Sequence, residues 1–336
     1  MPSIDKSFHS IATALKRLRR PAAKLLQPGS SDAAIAAVAA ALPFKLTKEL
    51  VELYRTTNGT DAKQGSTIDE LSLFPGYYLL SLEDAVSEYR KMRRASQWKK
   101  GWFPFFANGA GDYYLVSCAP AARGVIGFLR GEPDQPVEYA SVTAMFATLA
   151  KCFDEGAFYT KKRDFVIDDE KHSHVAIALN PGVAVWEQEQ AEEAEAARNA
   201  EAAEMAAKGS NLLLKKRNVL EALALLEKAL EVPDQQQFAY VNALYAVPLA
   251  SEKGLRVEPK RIRRLLDVCL AQKDLHGDGH LNAALCFMLL GEPDQAITSL
   301  RLAKKKGVKL KEHLTEALFV PLATDKRFIA LVKSSK

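Results

Sequence analysis

A pair of glycines beside a carboxylate, in the stretch FANGAGDYYL at residues 106–115, is where this sequence first suggests phosphate chemistry. Dinucleotide-binding loops carry Gly-x-Gly-x-x-Gly between a strand and a helix, because glycine lets the backbone approach the phosphates closely. Gly109 and Gly111 occupy the first two positions, but Tyr114 occupies the third and the residues that follow are typical of a strand. No Gly-Lys-Ser/Thr triplet is present either. The pattern therefore argues against a phosphate-binding loop.

The same stretch has the composition of a tight turn. Asn and Gly tolerate the positive φ angles of hairpin loops, and both occur in Asn108-Gly109 and Gly111-Asp112. The flanking runs FFA and YYLV are aromatic or β-prone. The sequence therefore predicts two paired strands joined by this turn.

Histidines do not form a recognisable site. His172 and His174 are two residues apart and point to different faces of a helix, which is poor geometry for a metal. The surrounding DDEKHSHVAIALNPG instead predicts a surface helix that is capped by Asp168 and ends at Asn180-Pro-Gly. Neither a Gly-x-Ser-x-Gly elbow nor a His-Glu-x-x-His motif occurs. We therefore predict no catalytic, cofactor-binding or metal-ligating residues, and no cofactor.

The four cysteines are far apart and form no Cys-x-x-Cys pair, which fits neither a zinc site nor a disulfide framework. We expect reduced, largely buried thiols in a cytoplasmic protein. They are Cys118, Cys152, Cys269 and Cys286.

Length and charge limit the class of protein. The chain has 336 residues, of which 48% are hydrophobic and 26% charged, and this length suits about two domains. No segment approaches the roughly 18 consecutive apolar residues of a membrane span. The net charge of +5 is too mild to argue for nucleic acid. We predict neither a membrane nor a nucleic-acid partner.

The N-terminal segment imitates a secretory signal without matching one. Lys16–Arg20 and the alanine-rich run Ala33–Leu42 resemble its basic and apolar regions, but prolines and a glycine separate the two. Ser31-Asp32 fits better as the N-cap of a helix that runs through Ala41.

The composition changes abruptly after Trp186. Before it, aromatic residues, Gly and Pro recur at short intervals, and runs such as YYLVSC and GVIGFLR predict strands. After it, EQEQAEEAEAARNAEAAEMAAK has high helix propensity but no consistent apolar face. We predict an α+β domain at residues 1–186, an acidic helical connector at 187–202 and an all-α domain at 203–336.

The C-terminal part has the periodicity of helical hairpins. A Gly-Glu-Pro turn at residues 291–293 separates two helical patterns, and the first presents one apolar face formed by Leu281, Ala284, Leu285 and Met288. This hairpin resembles a tetratricopeptide repeat, in which small residues lie where two helices approach closely. The resemblance rests on Ala284, Phe287, Gly291, Ala296 and Ala303.

Two weaker hairpins precede it, one around Ala222 and Ala229 and one formed by Phe238–Leu249 and Ile262–Leu270. With a closing segment at Phe319–Val332 we expect three hairpins and a cap. Such a stack leaves a concave surface for a peptide or protein ligand. A dimerisation or spacer module is an equal alternative.

A second resemblance covers most of residues 27–186. The segments QPGSSDAAIAAVAAALPFKLTKELVELYRTTNG, LFPGYYLLSLEDAVSEYR, WFPFFANGAGDYYLV and RGVIGF occur in the order typical of the SUKH superfamily. That superfamily includes fungal cell-wall-assembly regulators and bacterial immunity proteins. The resemblance implies an α+β domain with a mixed, twisted sheet packed with helices, and no enzymatic activity. SVTAMF stands where members usually have Ser-Phe, a departure that bears on the subfamily rather than the fold.

The resemblance also implies a function: an immunity protein that binds a cognate protein toxin and occludes its active site. We predict partner contact beside the hairpin, at Trp102, Asp112, Tyr113 and Tyr114. The alternative for these residues is that Trp102 and one tyrosine belong to the core. The alternative function is a scaffold or adaptor that recruits partners through its helical repeats.

Overall fold

The chain folds into two compact units, Met1–Glu192 and Glu193–Lys336. The computed structural model describes residues 1–64, 67–119, 123–215, 218–233, 235–313 and 317–333. The boundary between the units falls inside the connector predicted at 187–202. Strands and helices in the first unit and helices in the second confirm the predicted fold class.

The first unit is built from short elements. Its helices are α1 (Ile4–Arg17), α2 (Ala22–Leu25), α3 (Asp32–Ala39), α4 (Lys48–Thr56), α5 (Ile68–Leu71), α6 (Leu82–Met92), α7 (Val142–Asp154) and α8 (Asp169–Leu179). Its strands are β1 (Leu26–Pro28), β2 (Thr57–Thr60), β3 (Tyr78–Leu79), β4 (Trp102–Ala107), β5 (Tyr113–Ser117), β6 (Val125–Phe128), β7 (Val137–Tyr139), β8 (Phe158–Lys161) and β9 (Asp164–Ile167). The next helix, α9 (Ala184–Leu214), contains the boundary between the units.

The central sheet has the strand order β3-β4-β5-β6-β7. Each neighbouring pair in it is antiparallel, and such neighbours need only short connections. The mixed sheet implied by the SUKH resemblance is therefore wrong for the described strands. β1 with β2, and β8 with β9, form separate two-stranded antiparallel sheets.

β4 is buried along its whole length because helices pack on both faces of the central sheet. On one face the ring of Phe106 lies 6.0 Å from that of Phe146 in α7. Tyr114 is paired with Phe106 across the two strands and so shares that face. Its neighbour Tyr113 points to the opposite face, where it meets Glu88 of α6.

The predicted helix starts are confirmed by their caps. The Ser31 hydroxyl accepts a hydrogen bond from the Ala34 amide and begins α3, which ends at Ala39, two residues before the predicted end. Asp168 accepts from the Lys171 amide and begins α8. Both side chains satisfy an amide that has no partner inside the helix.

The second unit contains helices that the sequence pattern predicted. They are α10 (Val219–Ala229), α11 (Gln237–Glu252), α12 (Pro259–Leu270), α13 (Gly277–Leu289), α14 (Pro293–Lys305) and α15 (Lys326–Lys333), with 3-10 turns at Leu310–His313 and Ala317–Leu322. Gly291 adopts a φ of +75° at the end of α13, and Pro293 opens α14. The buried face of α12 is formed by Ile262, Leu265, Leu266 and Cys269.

Each unit has its own large hydrophobic core. Three of the cysteines are buried and Cys118 is half-buried, as expected. Burial raises the pKa of the Cys118 thiol to about 11 and that of Cys152 to about 12. None of the described helices is long and apolar enough to cross a membrane.

Candidate functional site

The predicted hairpin is present, and polar side chains fix its tip. β4 and β5 pair in antiparallel register on either side of it, and Gly109 and Gly111 have φ angles of +75° and +106°. The side-chain amide of Asn108 donates to Asp112 Oδ2 at 2.6 Å. The backbone N–H of Arg130 donates to Asp112 Oδ1 at 2.8 Å. Asp112 therefore ties the hairpin tip to the end of β6.

Two of the four predicted partner-binding residues lie in the core. Trp102 is 4% exposed and Tyr113 is 6% exposed. The Trp102 ring is 5.9 Å from Trp98 and 6.1 Å from Phe128. Tyr113 donates its hydroxyl proton to Glu88 Oε2 at 2.9 Å. These two side chains pack in the core beneath the sheet strands that form the hairpin, and they present little surface to a partner.

Tyr114 lies on the opposite face and is half-buried. Its ring is 4.8 Å from that of Tyr77 and 5.8 Å from that of Tyr139. Its hydroxyl donates to Glu138 Oε2 at 2.9 Å. We call Tyr77, Tyr114, Glu138 and Tyr139 the tyrosine–carboxylate cluster.

Burial sets the electrostatics of this cluster. It raises the pKa of Tyr77 to about 12, and nearby Asp112 and Glu138 add to the effect because they oppose a second negative charge. The pKa values of Tyr114 and Tyr139 are also raised, first by burial. Burial raises the pKa of Glu138 as well, and the hydrogen bond from Tyr114 opposes that shift. Perturbed groups gathered in one place are a mark of functional sites.

His172 packs beside this cluster, where the sequence predicted a surface helix. The Tyr139 hydroxyl is 3.3 Å from His172 Nε2, and the imidazole lies 6.0 Å from the Phe158 ring and 5.7 Å from the Trp186 ring. Burial lowers its pKa, so the neutral imidazole is favoured. His174 is exposed on the same helix. Within the described ranges, no group of three or more His, Cys, Asp or Glu side chains is placed to hold a metal.

Sequence reasoning missed Tyr77 and Glu138. They are separated from Tyr114 by whole strands and share no motif with it, so only strand pairing brings them together. The glycine at position 127, inside a run predicted to form a strand, was the available sequence signal of this cluster. In the structure Gly127 lies opposite Tyr114 in β6, and a Cβ there would collide with the Glu138 carboxylate.

Two surface grooves are also candidates for partner contact. One, of about 670 Å³, lies along α3 and α4 and is lined by Ile35, Leu42, Phe44 and Val51 together with the Asp32–Arg55 ion pair. The other, of about 860 Å³, lies between α10 and α12 in the second unit. Its polar lining consists of Glu227, Lys228, Glu231, Lys260, Arg261 and Arg264.

The first unit is an α+β domain in which a five-stranded antiparallel sheet carries a hydrogen-bonded hairpin and a tyrosine–carboxylate cluster. Within it, residues 29–149 match the SMI1 / KNR4 family (SUKH-1) and form a domain of that family. The SUKH resemblance is thereby confirmed for this segment, about a third of the chain. The match does not extend to the C-terminal helices, whose likeness to tetratricopeptide repeats stays a prediction. A comparison with curated proteins finds no match to the chain.

Proposed function

We propose that this protein is an immunity protein that binds a cognate toxin and blocks it by occlusion, without catalysis. The SMI1 / KNR4 (SUKH-1) domain at residues 29–149 is the observation that carries the proposal. An immunity role is consistent with this family. The cytoplasm is the compartment in which such a protein would meet its toxin.

The β4–β5 hairpin is our proposed contact surface for the toxin. Asn108 and Asp112 hold its tip in one conformation, which lowers the entropy lost on binding. Asp112 and Tyr114 are partly accessible and would touch the toxin directly. Trp102 and Tyr113 are buried and would contribute by fixing the hairpin's shape.

Co-expression with the product of an adjacent toxin-like reading frame tests the function. We expect the chain to restore growth and to co-purify with the toxin in a fixed ratio. Failure of both rescue and complex formation would overturn the proposal.

A pair of matched variants tests the hairpin as the contact surface. Ala110 at its tip and Ala37 on α3 are both exposed, so Ala110→Arg and Ala37→Arg add the same bulk and charge at different places. We expect Ala110→Arg to abolish neutralisation and Ala37→Arg to retain it. Equal neutralisation by both variants would leave the immunity role in place and remove the hairpin from it.

An adaptor role for the second unit is the alternative, and the groove between α10 and α12 favours it. Four cations and two carboxylates line this groove, so its net positive charge suits an acidic peptide. Lys260 and Arg264 are both exposed, so Lys260→Glu/Arg264→Glu should preserve the fold. We expect a defined partner captured by the full chain to be lost with this double variant. Retention of the same partner would argue against the groove.

A further inference from the structure

Glu138 is a half-buried carboxylate among tyrosine rings on the edge strand β7. One of its oxygens, Oε2, accepts the Tyr114 hydroxyl proton at 2.9 Å. The Tyr77 and Tyr114 rings lie beside it, 4.8 Å apart and inclined by 59°. Glu138, Tyr77 and Tyr114 each keep partial solvent exposure. These three side chains are therefore accessible to a ligand from solvent, whereas Tyr139 is buried beneath them.

The backbone of β6 leaves room for this carboxylate. A Cβ on Gly127 would collide with Glu138 Oε1 and would lie 2.6 Å from its Cδ. The carboxylate thus lies against the bare backbone of β6. The Trp186 indole N–H donates to the Glu138 carbonyl oxygen, which anchors the strand that carries the side chain. The Tyr114 hydroxyl and the anchored strand therefore orient the carboxylate toward the tyrosine rings.

The charge of Glu138 has no counter-charge in the part of the chain that the structure describes. Burial is the main influence on its pKa, and the Tyr114 hydroxyl is its stabilising neighbour. An ionised carboxylate that is withdrawn from water without a cation is energetically costly. A cation supplied from outside would remove that cost, and the negative faces of the tyrosine rings would add to the attraction.

We propose that Glu138, Tyr77 and Tyr114 form a binding site for a lysine or arginine side chain of a protein partner. The carboxylate would receive N–H donors from the ammonium or guanidinium group, and the two rings would flank its charge. Hard metal ions fit less well, because Ca²⁺ takes about six to eight oxygen ligands and this site offers one carboxylate. The identity of the partner as a toxin rests on the proposed function, whereas the site itself does not.

The site is tested on the full-length protein with small probes, by NMR titration of the tyrosine ring signals. N-acetyl-L-arginine methylamide and N-acetyl-L-lysine methylamide each supply one cation, and N-acetyl-L-glutamine methylamide is the uncharged control. We expect saturable shifts of the Tyr77 and Tyr114 signals with the cationic probes only. Non-saturable shifts, or equal shifts with the glutamine probe, would overturn the proposal.

Single substitutions test whether the probes bind to the Glu138 carboxylate and the Tyr77 ring. Glu138→Gln keeps the shape and removes the charge, and we expect it to weaken probe binding at least about fivefold. Glu132→Gln is the matched control, because Glu132 is exposed on the connection between β6 and β7; its binding should be unchanged. Tyr77→Leu should weaken binding and Tyr77→Phe should retain it. Unchanged probe binding by Glu138→Gln would overturn the site. If Glu138→Gln does not fold, the comparison of Tyr77→Leu with Tyr77→Phe is the test, and equal probe binding by these two variants would overturn the site.

The neutralisation assay separates this site from the proposed function. If the natural chain neutralises the toxin and Glu138→Gln does so equally well, the site is not used for the toxin and the immunity role stands. If the natural chain neutralises nothing, the immunity role fails and the probe titration still decides the site.

Discussion

Two adjacent tyrosines donate to two different carboxylates on opposite sides of one strand. Tyr113 donates to Glu88 of α6, and Tyr114 donates to Glu138 of β7. Successive side chains of a strand point to opposite faces, so one bond joins β5 to α6 and the other joins it to β7, the edge strand of the same sheet. The proposed functions of the two residues differ for the same reason: one shapes the hairpin and the other holds the carboxylate of the cluster.

Arg20 is a buried cation that joins three segments of the first unit. Its Nη2 donates to Asp69 Oδ2 at 2.6 Å, its Nη1 donates to the Arg163 carbonyl oxygen at 3.4 Å, and its guanidinium lies 4.4 Å from the centre of the Phe165 ring. The residues that it joins include positions outside the family match at 29–149. They extend the domain on both sides of that match.

We expect Arg20→Ala to lower the free energy of unfolding of this unit by about 2–4 kcal/mol, because several hydrogen bonds and the ring contact are lost together. The free energy of unfolding of Arg20→Lys should lie between those of the natural protein and Arg20→Ala, because an ammonium keeps the charge but cannot reproduce the forked donors of a guanidinium. Lys24→Ala, at an exposed position of α2, should change stability by less than about 0.5 kcal/mol. Urea unfolding followed by tryptophan fluorescence measures all three. Equal stability of the Arg20 and Lys24 variants would contradict this assignment.

Glu138 is expected to reduce stability at neutral pH. Its pKa in the folded state is raised above its ordinary value of 4.5. The favourable contribution of such a group is full below the unfolded pKa and is lost as the pH rises through the folded pKa. Glu138→Gln should therefore be more stable than the natural protein at pH 7, and the difference should shrink as the pH falls toward 4.5.

Thermal unfolding at several pH values measures this difference, with Glu132→Gln as the control. If the stability of Glu138→Gln relative to the natural protein were lower at pH 7 than at low pH, the predicted direction of the pH dependence would be contradicted. A stable variant that loses partner binding would show that the site keeps a charge at the expense of stability.

At the scale of elements, Gly109 of the β4–β5 hairpin has two properties that an alanine would disturb, and Gly76, which precedes β3, shares only one of them. Gly109 has a φ of +75°, and a Cβ there would lie 2.6 Å from Ile68 Cδ1. Gly76 has a φ of +82°, but nothing lies within 4 Å of its added Cβ. Comparing the two positions separates backbone strain from steric collision.

We expect Gly76→Ala to cost about 1 kcal/mol through its φ angle alone. Gly109→Ala should cost about 0.5–1.5 kcal/mol more, because the end of the Ile68 side chain must leave its position. Ile68→Val removes the colliding methyl group, so the double variant Gly109→Ala/Ile68→Val should recover part of that difference. A double-mutant cycle of unfolding free energies measures the coupling; strictly additive effects would rule out the collision.

At the scale of the whole molecule, the two units have separate hydrophobic cores. The three tryptophans, Trp98, Trp102 and Trp186, all lie in the first unit. Tryptophan fluorescence therefore reports on the unfolding of that unit, whereas the far-ultraviolet circular dichroism of the helices reports on both.

We expect Leu300→Ala, in the core of the second unit, to lower that unit's stability by about 2–5 kcal/mol. Leu302→Ala, at a position that is 41% exposed on the same helix, should have little effect. The fluorescence transition should be unchanged in both variants, with the loss seen only by circular dichroism. A fluorescence transition that moves with Leu300→Ala would show that the units unfold together.

The sequence by itself determined the local features of this protein. Ser31 and Asp168 predicted two helix starts, the apolar period of α13 predicted a buried face, and Asn108-Gly109 predicted the hairpin turn. Each of these depends on residues within a few positions of one another, and short-range hydrogen bonding, φ preferences and helical periodicity are sufficient to specify them. The ordered motifs within residues 27–186 predicted a SUKH-like domain in the same way, segment by segment, and the family match confirms it at residues 29–149.

Only the tertiary structure decided which side chains meet. It placed Trp102 and Tyr113 in the core, His172 against Trp186, and Glu138 beside Tyr77 and Tyr114. The antiparallel order of the central sheet was decided at the same level. The physical reason is that strand pairing and the burial of a carboxylate depend on residues far apart in the chain. A single sequence specifies their types but not their distances.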